Sequence, residues 1–223
     1  MIRALLLAAA LLFAPPSLAQ TTPSASQAQE PSPEAVLAAR EFYTAMVFDG
    51  GALDALAPVF AEYMTPQIRS MLVASPMYRG VSAEKRARID AFVDTLPQLL
   101  IAEFGNEMER ATDRIAPQFA RIMTLEELQG ATAFLRSPEM DPLWAQLMTE
   151  VGETDGNSNE GTLPDWNGTP EGRAFAQTPA GLALVRVEPQ IDAILNAESP
   201  AIFAAMNGRI ELLVMTGLCD ALQ

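Results

Sequence analysis

The chain contains no histidine, and this absence removes several classes of enzyme. A Ser-His-Asp triad, a Cys-His pair, an H-E-x-x-H zinc site and the Glu-x-x-His di-iron pattern of helical bundles all need imidazole. Lysine occurs once, as Lys85 in the charged run E-K-R-A-R, where we expect it to point to water rather than to activate a serine. A Walker P-loop is also missing. We therefore predict no catalytic, cofactor-binding or metal-binding residue, and no cofactor.

Cysteine and positive charge are scarce as well. Cys219 is the only cysteine, so the fold has no intramolecular disulfide. Its apolar neighbours, such as Leu212 and Met215, predict a buried small hydrophobe, with an intermolecular disulfide as the alternative. The 14 basic and 28 acidic residues leave a net charge of −14. Such a surface keeps a protein soluble and repels nucleic acid and anionic membranes, so we predict no nucleic-acid partner.

Residues 1–19 have the features of a secretory signal peptide. Arg3 supplies the positive region, an apolar run follows over 4–14, and S-L-A ending at Ala19 is a small-x-small cleavage site. We expect cleavage after Ala19 during bacterial export, which makes the protein periplasmic or secreted. The apolar run is too short to span a bilayer, so we predict no stable membrane insertion after cleavage. Residues 20–32 are polar and proline-containing, and we expect a disordered tether there.

Residues 33–223 predict an all-α domain, a single-domain bundle of about seven to eight short and medium helices. No stretch alternates with the period of two that a half-buried strand shows. Serine or threonine followed by proline is typical of a helix N-terminus and recurs along the chain, at Ser32-Pro33, Thr65-Pro66, Ser75-Pro76, Ser137-Pro138, Thr169-Pro170, Thr178-Pro179 and Ser199-Pro200. We expect prolines to separate or kink paired helices near 53–64 and 66–74, 82–96 and 99–122, and 179–196 and 200–221. Ser75–Gly80 and 152–168 are predicted loops.

The clearest helix signal begins at Thr124. Thr124 and Glu127 have the spacing of a capping box, and Met123 and Leu128 that of a hydrophobic staple. Apolar residues follow at helical spacing until Ser137-Pro138, where the residue before proline is disfavoured in the α conformation. This stretch predicts a well-bounded helix and carries no chemistry of its own.

The capped stretch resembles the domain of unknown function 2059 family of small exported bacterial proteins. The family pattern is an F-T-x-E-E-L cap, an aromatic residue and then S/T-P-x-G; here M-T-L-E-E-L covers 123–128, followed by Phe134 and Ser137-Pro138. Met140 stands where the glycine belongs, but a second match, F-A-Q-T-P-A-G at 175–181, supplies it. The resemblance covers about 99–196, with either a polar loop insertion near 152–168 or a partial duplication. It implies a helical fold and export, and brings no agreed activity or catalytic residue.

The polar loop that begins at Asp155 has part of the pattern of a calcium-binding loop. Asp155, Asn157 and Asn159 alternate as ligands do in an EF-hand, yet Glu160 stands where glycine is needed and Trp166 where glutamate is needed. We interpret the loop as solvated rather than as a calcium site. Trp144 and Trp166 flank it, and we expect them to pack its ends rather than line a groove.

Carboxylates are the only catalytic groups that remain. Glu103 and Glu107 lie four residues apart and share a helix face, and Glu126 and Glu127 open the next helix. Such a pair could hydrolyse a glycosidic bond, but a solvated face and a helix cap are the simpler interpretations. The methionines fall singly on apolar faces, which indicates core filling rather than a copper site; the examples are Met46, Met71, Met108 and Met206.

These patterns together predict an exported, non-enzymatic helical protein. We expect it to act by protein binding or self-assembly in the bacterial envelope, with an unknown protein or a second copy as its partner. One alternative is a carrier of a small apolar ligand in an interhelical cavity. A second alternative is a carboxylate-dependent hydrolase acting on cell-wall glycan.

Overall fold

A computed structural model describes residues 30–145 and 169–223 of the chain. These residues form helices joined by short turns, with no strand among them, which confirms the predicted all-α class. The predicted signal peptide, most of the tether, the calcium-like loop and Trp166 lie outside the described residues. Trp144 is buried and lies against Gly50, where a Cβ atom would come 2.4 Å from its ring.

The helices differ greatly in length. In chain order they are α1 (Pro33–Thr44, continued by a π-helical turn Ala45–Asp49), α2 (Ala52–Ala74), α3 (Pro76–Gly80), α4 (Ala83–Ile122), α5 (Leu125–Leu135), a 3₁₀ turn (Pro138–Met140), α6 (Pro170–Ala176) and α7 (Pro179–Leu222). α4 and α7, with 40 and 44 residues, are much longer than the predicted helices.

The prediction that internal prolines separate these helix pairs is wrong. α2 contains Pro58 and Pro66, α7 contains Pro189 and Pro200, and α4 continues through Pro97. The hydroxyl groups before two of these prolines point back into their own helices. Thr65 Oγ1 donates to the Ala61 carbonyl and Ser199 Oγ to the Leu195 carbonyl, each at 2.7 Å. These residues therefore hydrogen-bond within a continuous helix instead of capping a new one.

At other positions the Ser/Thr-Pro pairs do begin helices. The backbone N–H of Ala35 donates to Ser32 Oγ at 3.2 Å, and Gly172 and Gly181 donate in the same way to Thr169 and Thr178. Ser75 caps α3, so the loop predicted at Ser75–Gly80 is wrong: it is a short helix. Ser137 is different, because its hydroxyl donates to the Phe134 carbonyl and a 3₁₀ turn follows.

The described residues fall into two compact units, to both of which α4 and α7 contribute. The first contains the described residues up to Ala52 and those from Ala111 to Pro200. Its core includes Phe42 and Phe119, both fully buried with their rings edge to face at 5.7 Å. The second contains Leu53–Arg110 and Ala201–Gln223. The rings of Phe60 and Phe104 meet there at 5.1 Å, and the buried side chains of this unit include Leu96, Leu100, Met206 and Ile210.

Met71 and Cys219, which the sequence predicts to be buried, are exposed, and so are Leu182 and Val185 of α7. In α7 the buried stripe begins at Ala183, Leu184 and Val187, which places Leu182 and Val185 on its outer side. Met46, Met108 and Met206 are buried, as predicted. Methionine therefore fills the core at these three positions, whereas the side chain of Met71 is exposed to solvent.

Candidate functional site

An open groove of about 660 Å³ lies on the surface of the second unit, between α4 and the end of α7. Half-buried apolar side chains line part of it, namely Phe92, Leu99 and Leu213. The exposed side chain of Leu212 also borders the groove, and four charged residues contribute to its lining, namely Arg88, Glu103, Arg209 and Asp220. The groove therefore offers apolar contact together with charges of both signs.

Gly217 determines how closely α7 approaches α4 in this groove. A Cβ atom at Gly217 would lie 2.1 Å from the ring of Phe92, well inside van der Waals contact. Only a residue without a side chain allows the ring to lie against the backbone of α7. The sequence shows a glycine here but gives no sign of its aromatic neighbour on the other helix.

A cluster of ion pairs lies where Glu103 joins the groove. Arg110 Nη1 lies 3.0 Å from Glu103 Oε1 and 2.9 Å from Glu107 Oε2, and Arg209 Nε lies 3.6 Å from each of these oxygens. Glu107 is only 1% exposed. The predicted solvated face is therefore wrong, although the two glutamates do share a side of α4. Hydrogen bonds to Glu107 and then to Glu103 raise the pKa of Arg110 above its ordinary value.

This geometry is typical of a structural network rather than of an acid–base pair. Buried carboxylates need paired charges, and two guanidinium groups supply them here. In the part of the chain that the structure describes, no group of three or more His, Cys, Asp or Glu residues could hold a metal ion. Of the two glutamates that open the next helix, Glu126 is exposed and Glu127 belongs to the capping box with Thr124.

Lys85 also has a structural partner. Its ammonium group donates to the Leu222 carbonyl at the end of α7, so the prediction that it points to water is wrong. The last carbonyls of a helix have no partner within the helix, and a lysine can satisfy one of them. Glu84 and Arg88, on the same helix as Lys85, form an ion pair at 2.5 Å, as their spacing of four residues predicts.

α7 is unusually apolar on its solvent side. An 18-residue window of this helix has a mean hydropathy of 1.4, yet only 22% of it is buried. By length and composition the helix could cross a membrane. In the second unit the buried residues of α7 are Ile202, Met206, Ile210 and Leu218, which lie on one side of the helix.

The first unit contains the repeated sequence, and its two copies share a local geometry. The rings of Phe134 and Phe175 stack at 3.7 Å with an interplanar angle of 1°. Ser137 and Thr178 each donate a hydroxyl hydrogen bond of 2.7 Å to the phenylalanine carbonyl three residues before. The copies diverge after the proline, where Met140 is buried in a 3₁₀ turn. The repeat therefore positions two matching turns whose aromatic rings meet.

The predicted capping box is present. Glu127 N donates to Thr124 Oγ1 at 3.2 Å, and Thr124 N donates to Glu127 Oε2 at 2.8 Å. Arg186 of α7 adds a hydrogen bond of 3.0 Å to the other oxygen of Glu127. Burial acts to raise the pKa of Glu127, but the hydrogen bonds from Thr124 and Arg186 outweigh it and leave the pKa below its ordinary value.

Two substitutions to glutamine should change stability in opposite directions at pH 7. Glu127 has a lowered pKa, so its ionised form stabilises the fold above pH 4.5, and Glu127→Gln should lose less than about 1 kcal/mol. Burial and then repulsion from Asp192 raise the pKa of Glu188, so its ionised form is unfavourable and Glu188→Gln should be more stable than wild type. The effect of Glu127→Gln should shrink as the pH falls below 4.5 through the lowered pKa of Glu127, whereas the effect of Glu188→Gln should shrink already above pH 4.5, as the pH falls through the raised pKa of Glu188. Urea unfolding of both variants and of wild type, from pH 7 to below pH 4.5, measures these changes in stability. Changes of the same sign at pH 7 would contradict the opposite pKa shifts of the two glutamates.

The full chain was also compared with known proteins. No protein family, no curated protein and no solved structure matches it. The resemblance of the capped stretch to the domain of unknown function 2059 family therefore stays a prediction.

Proposed function

We propose that the chain is an exported, non-enzymatic helical protein that binds another polypeptide in the bacterial envelope. The observation that carries this proposal is the exposed apolar surface of α7 in the second unit. We call this surface the outer face and define it by six residues, Ala201, Ala205, Gly208, Leu212, Met215 and Cys219. Five are exposed and Ala205 is half-buried. A helix that is apolar on all sides is normally enclosed, so an open outer face favours a partner that covers it.

A protein partner explains this surface better than a bilayer does. Arg209 and Glu211 lie in the middle of the apolar stretch, and a charged residue at a bilayer centre costs about 2.5–3.5 kcal/mol. Arg209 is also held by Glu103 and Glu107 of α4. The net charge of −14 opposes contact with an anionic lipid surface.

The other parts of the proposal have separate support. Export follows from the signal-peptide features of residues 1–19 and from the family resemblance. A non-enzymatic role is supported by the absence of histidine and by the pairing of Glu103 and Glu107 with arginines. These observations leave binding as the activity that the geometry supports best.

The groove favours a second candidate function, the transport of a small apolar ligand. Its volume of about 660 Å³ lies within the range of about 300–1,000 Å³ that small-molecule sites occupy. Phe92, Leu99 and Leu213 would contact the apolar part of such a ligand, and Arg88 or Arg209 an acidic group on it.

A photo-crosslinking amino acid at Leu212, introduced into the full chain in the bacteria that produce it, tests the proposed function. We expect light-dependent adducts with a polypeptide, because the Leu212 side chain is 68% exposed on the outer face. The same probe at Leu182 is the matched control, since Leu182 lies on the same helix, is 58% exposed and lies away from the outer face. If Leu212 yields no more protein adduct than Leu182, the proposed function is overturned.

A further inference from the structure

We infer that the polypeptide covering the outer face is a second copy of this chain, bound through antiparallel pairing of the two α7 helices. This inference rests on the proposed function and names its partner. The six residues of the outer face are separated by four, three, four, three and four positions. This is the spacing of a coiled-coil seam, in which two helices pack along residues that recur every 3.5 positions.

The sizes of the six residues specify the direction of pairing. The small residues Ala201, Ala205 and Gly208 precede the larger Leu212, Met215 and Cys219. In an antiparallel pair centred on Ile210, Gly208 lies opposite Leu212, Ala205 opposite Met215 and Ala201 opposite Cys219. Each layer then holds one small and one larger residue, which fills space evenly. A parallel pair would place each residue against itself, with gaps at one end and crowding at the other.

Gly208 provides an independent observation that points to a neighbouring helix. A Cβ atom added there would meet nothing within 4 Å, so no contact within the chain requires glycine. Glycine in a helix interior is less favourable than alanine. Gly217 on the same helix is accounted for by Phe92, whereas Gly208 has no such neighbour. Close approach of a second helix backbone at the centre of the pair accounts for Gly208.

Charge is compatible with this pairing. The outer face has no charged residue, so two acidic chains meet where their repulsion is smallest. Arg209 lies at one flank, where Glu103 and Glu107 already neutralise it. Glu211 lies at the other flank, beside its symmetry-related copy. Added salt should therefore strengthen the association by screening this repulsion.

Sedimentation equilibrium on the purified mature chain tests the pairing. We expect twice the mass of one chain, and at least a hundredfold weaker association for Leu212→Glu, which places a charge in the central layer. Leu182→Glu is the matched control, with the same substitution at an exposed position of the same helix, and should leave the association unchanged. Gly208→Ala should weaken association at least tenfold while the melting temperature of the dissociated chain does not fall. That combination separates an interface role from a role in folding.

Disulfide trapping tests the direction. In the antiparallel pair the two Cys219 residues are about 27 Å apart along the axis, at about 1.5 Å per residue, far beyond the ~7 Å that a disulfide allows between Cα atoms. Wild type should therefore stay free of disulfide dimers under oxidation. Ala201→Cys should form them rapidly, because its new thiol lies opposite Cys219. A disulfide dimer of wild type would overturn the antiparallel pairing.

The experiments separate failure of the pairing from failure of the proposed function. A monomeric purified chain whose Leu212 probe crosslinks to a different protein in cells would overturn self-pairing and leave the binding function standing. A monomeric chain whose Leu212 probe gives no adduct would overturn both. A dimer that Leu212→Glu does not weaken would show that another surface makes the contact and would overturn the inference.

Discussion

Replacing Gly181 by alanine should lower the free energy of unfolding by about 3 kcal/mol. The new Cβ atom would lie 2.0 Å from the carbonyl oxygen of Phe175 and 2.8 Å from the Cα atom of Ala176. These are backbone atoms, which cannot rotate aside as a side chain can. The turn between α6 and α7 would have to open, which would disturb the cap that Thr178 provides to the Gly181 N–H. Urea unfolding followed by circular dichroism measures the change.

Gly105→Ala is the matched control for this substitution. Gly105 lies inside α4, and a Cβ atom there would make an ordinary contact of 3.6 Å with Leu53. Alanine should therefore raise the free energy of unfolding by up to about 1 kcal/mol, because it favours the helix and meets no clash. If Gly181→Ala were as stable as wild type, close approach of the two backbones would not be the reason for glycine in the T-P-A-G segment.

The sequence predicts well those interactions whose two residues lie within one or two turns of the same helix. The capping box needs only Thr124 and Glu127, three residues apart, and the structure places both hydrogen bonds. The pair of Glu84 and Arg88 is equally local. In each case both partners lie on the same segment, so their spacing alone determines whether they can meet.

The prolines show where local signals are insufficient. Ser199-Pro200 and Thr178-Pro179 have the same pattern in sequence, but Ser199 lies inside α7 and Thr178 precedes it. A hydroxyl before proline can cap a new helix or hydrogen-bond back within an old one. Burial by distant residues decides between these outcomes, and the sequence of the segment does not contain that information.

The candidate site depends on distant residues in the same way. Glu103, Glu107 and Arg110 lie within reach of one another on α4, but the second guanidinium group of the cluster belongs to Arg209, which comes from the other end of the chain. The phenyl ring that requires Gly217 comes from α4. The sequence does not indicate the outer face, for a different reason. α7 is apolar on all sides, so its periodicity does not indicate which side the chain itself covers.

Replacing Phe119 by alanine should lower the free energy of unfolding by about 4 kcal/mol, the largest effect we expect. Phe119 is fully buried in the first unit, edge to face with Phe42 at 5.7 Å and tilted against Tyr43 at 6.2 Å. Its removal would leave a cavity that these two rings cannot both fill. Burial also raises the pKa of Tyr43, which keeps its hydroxyl group neutral within this apolar cluster.

Phe134→Ala provides the comparison, because it removes the same ring from the first unit at a half-buried position. Phe134 stacks on Phe175, but solvent already reaches it, so its loss should cost about 1–2 kcal/mol. Phe119→Leu should fall between wild type and Phe119→Ala, since leucine refills part of the cavity. Urea unfolding of the three variants gives this order. Similar losses for Phe119→Ala and Phe134→Ala would contradict a core built around Phe119, because burial would then not determine what each ring contributes.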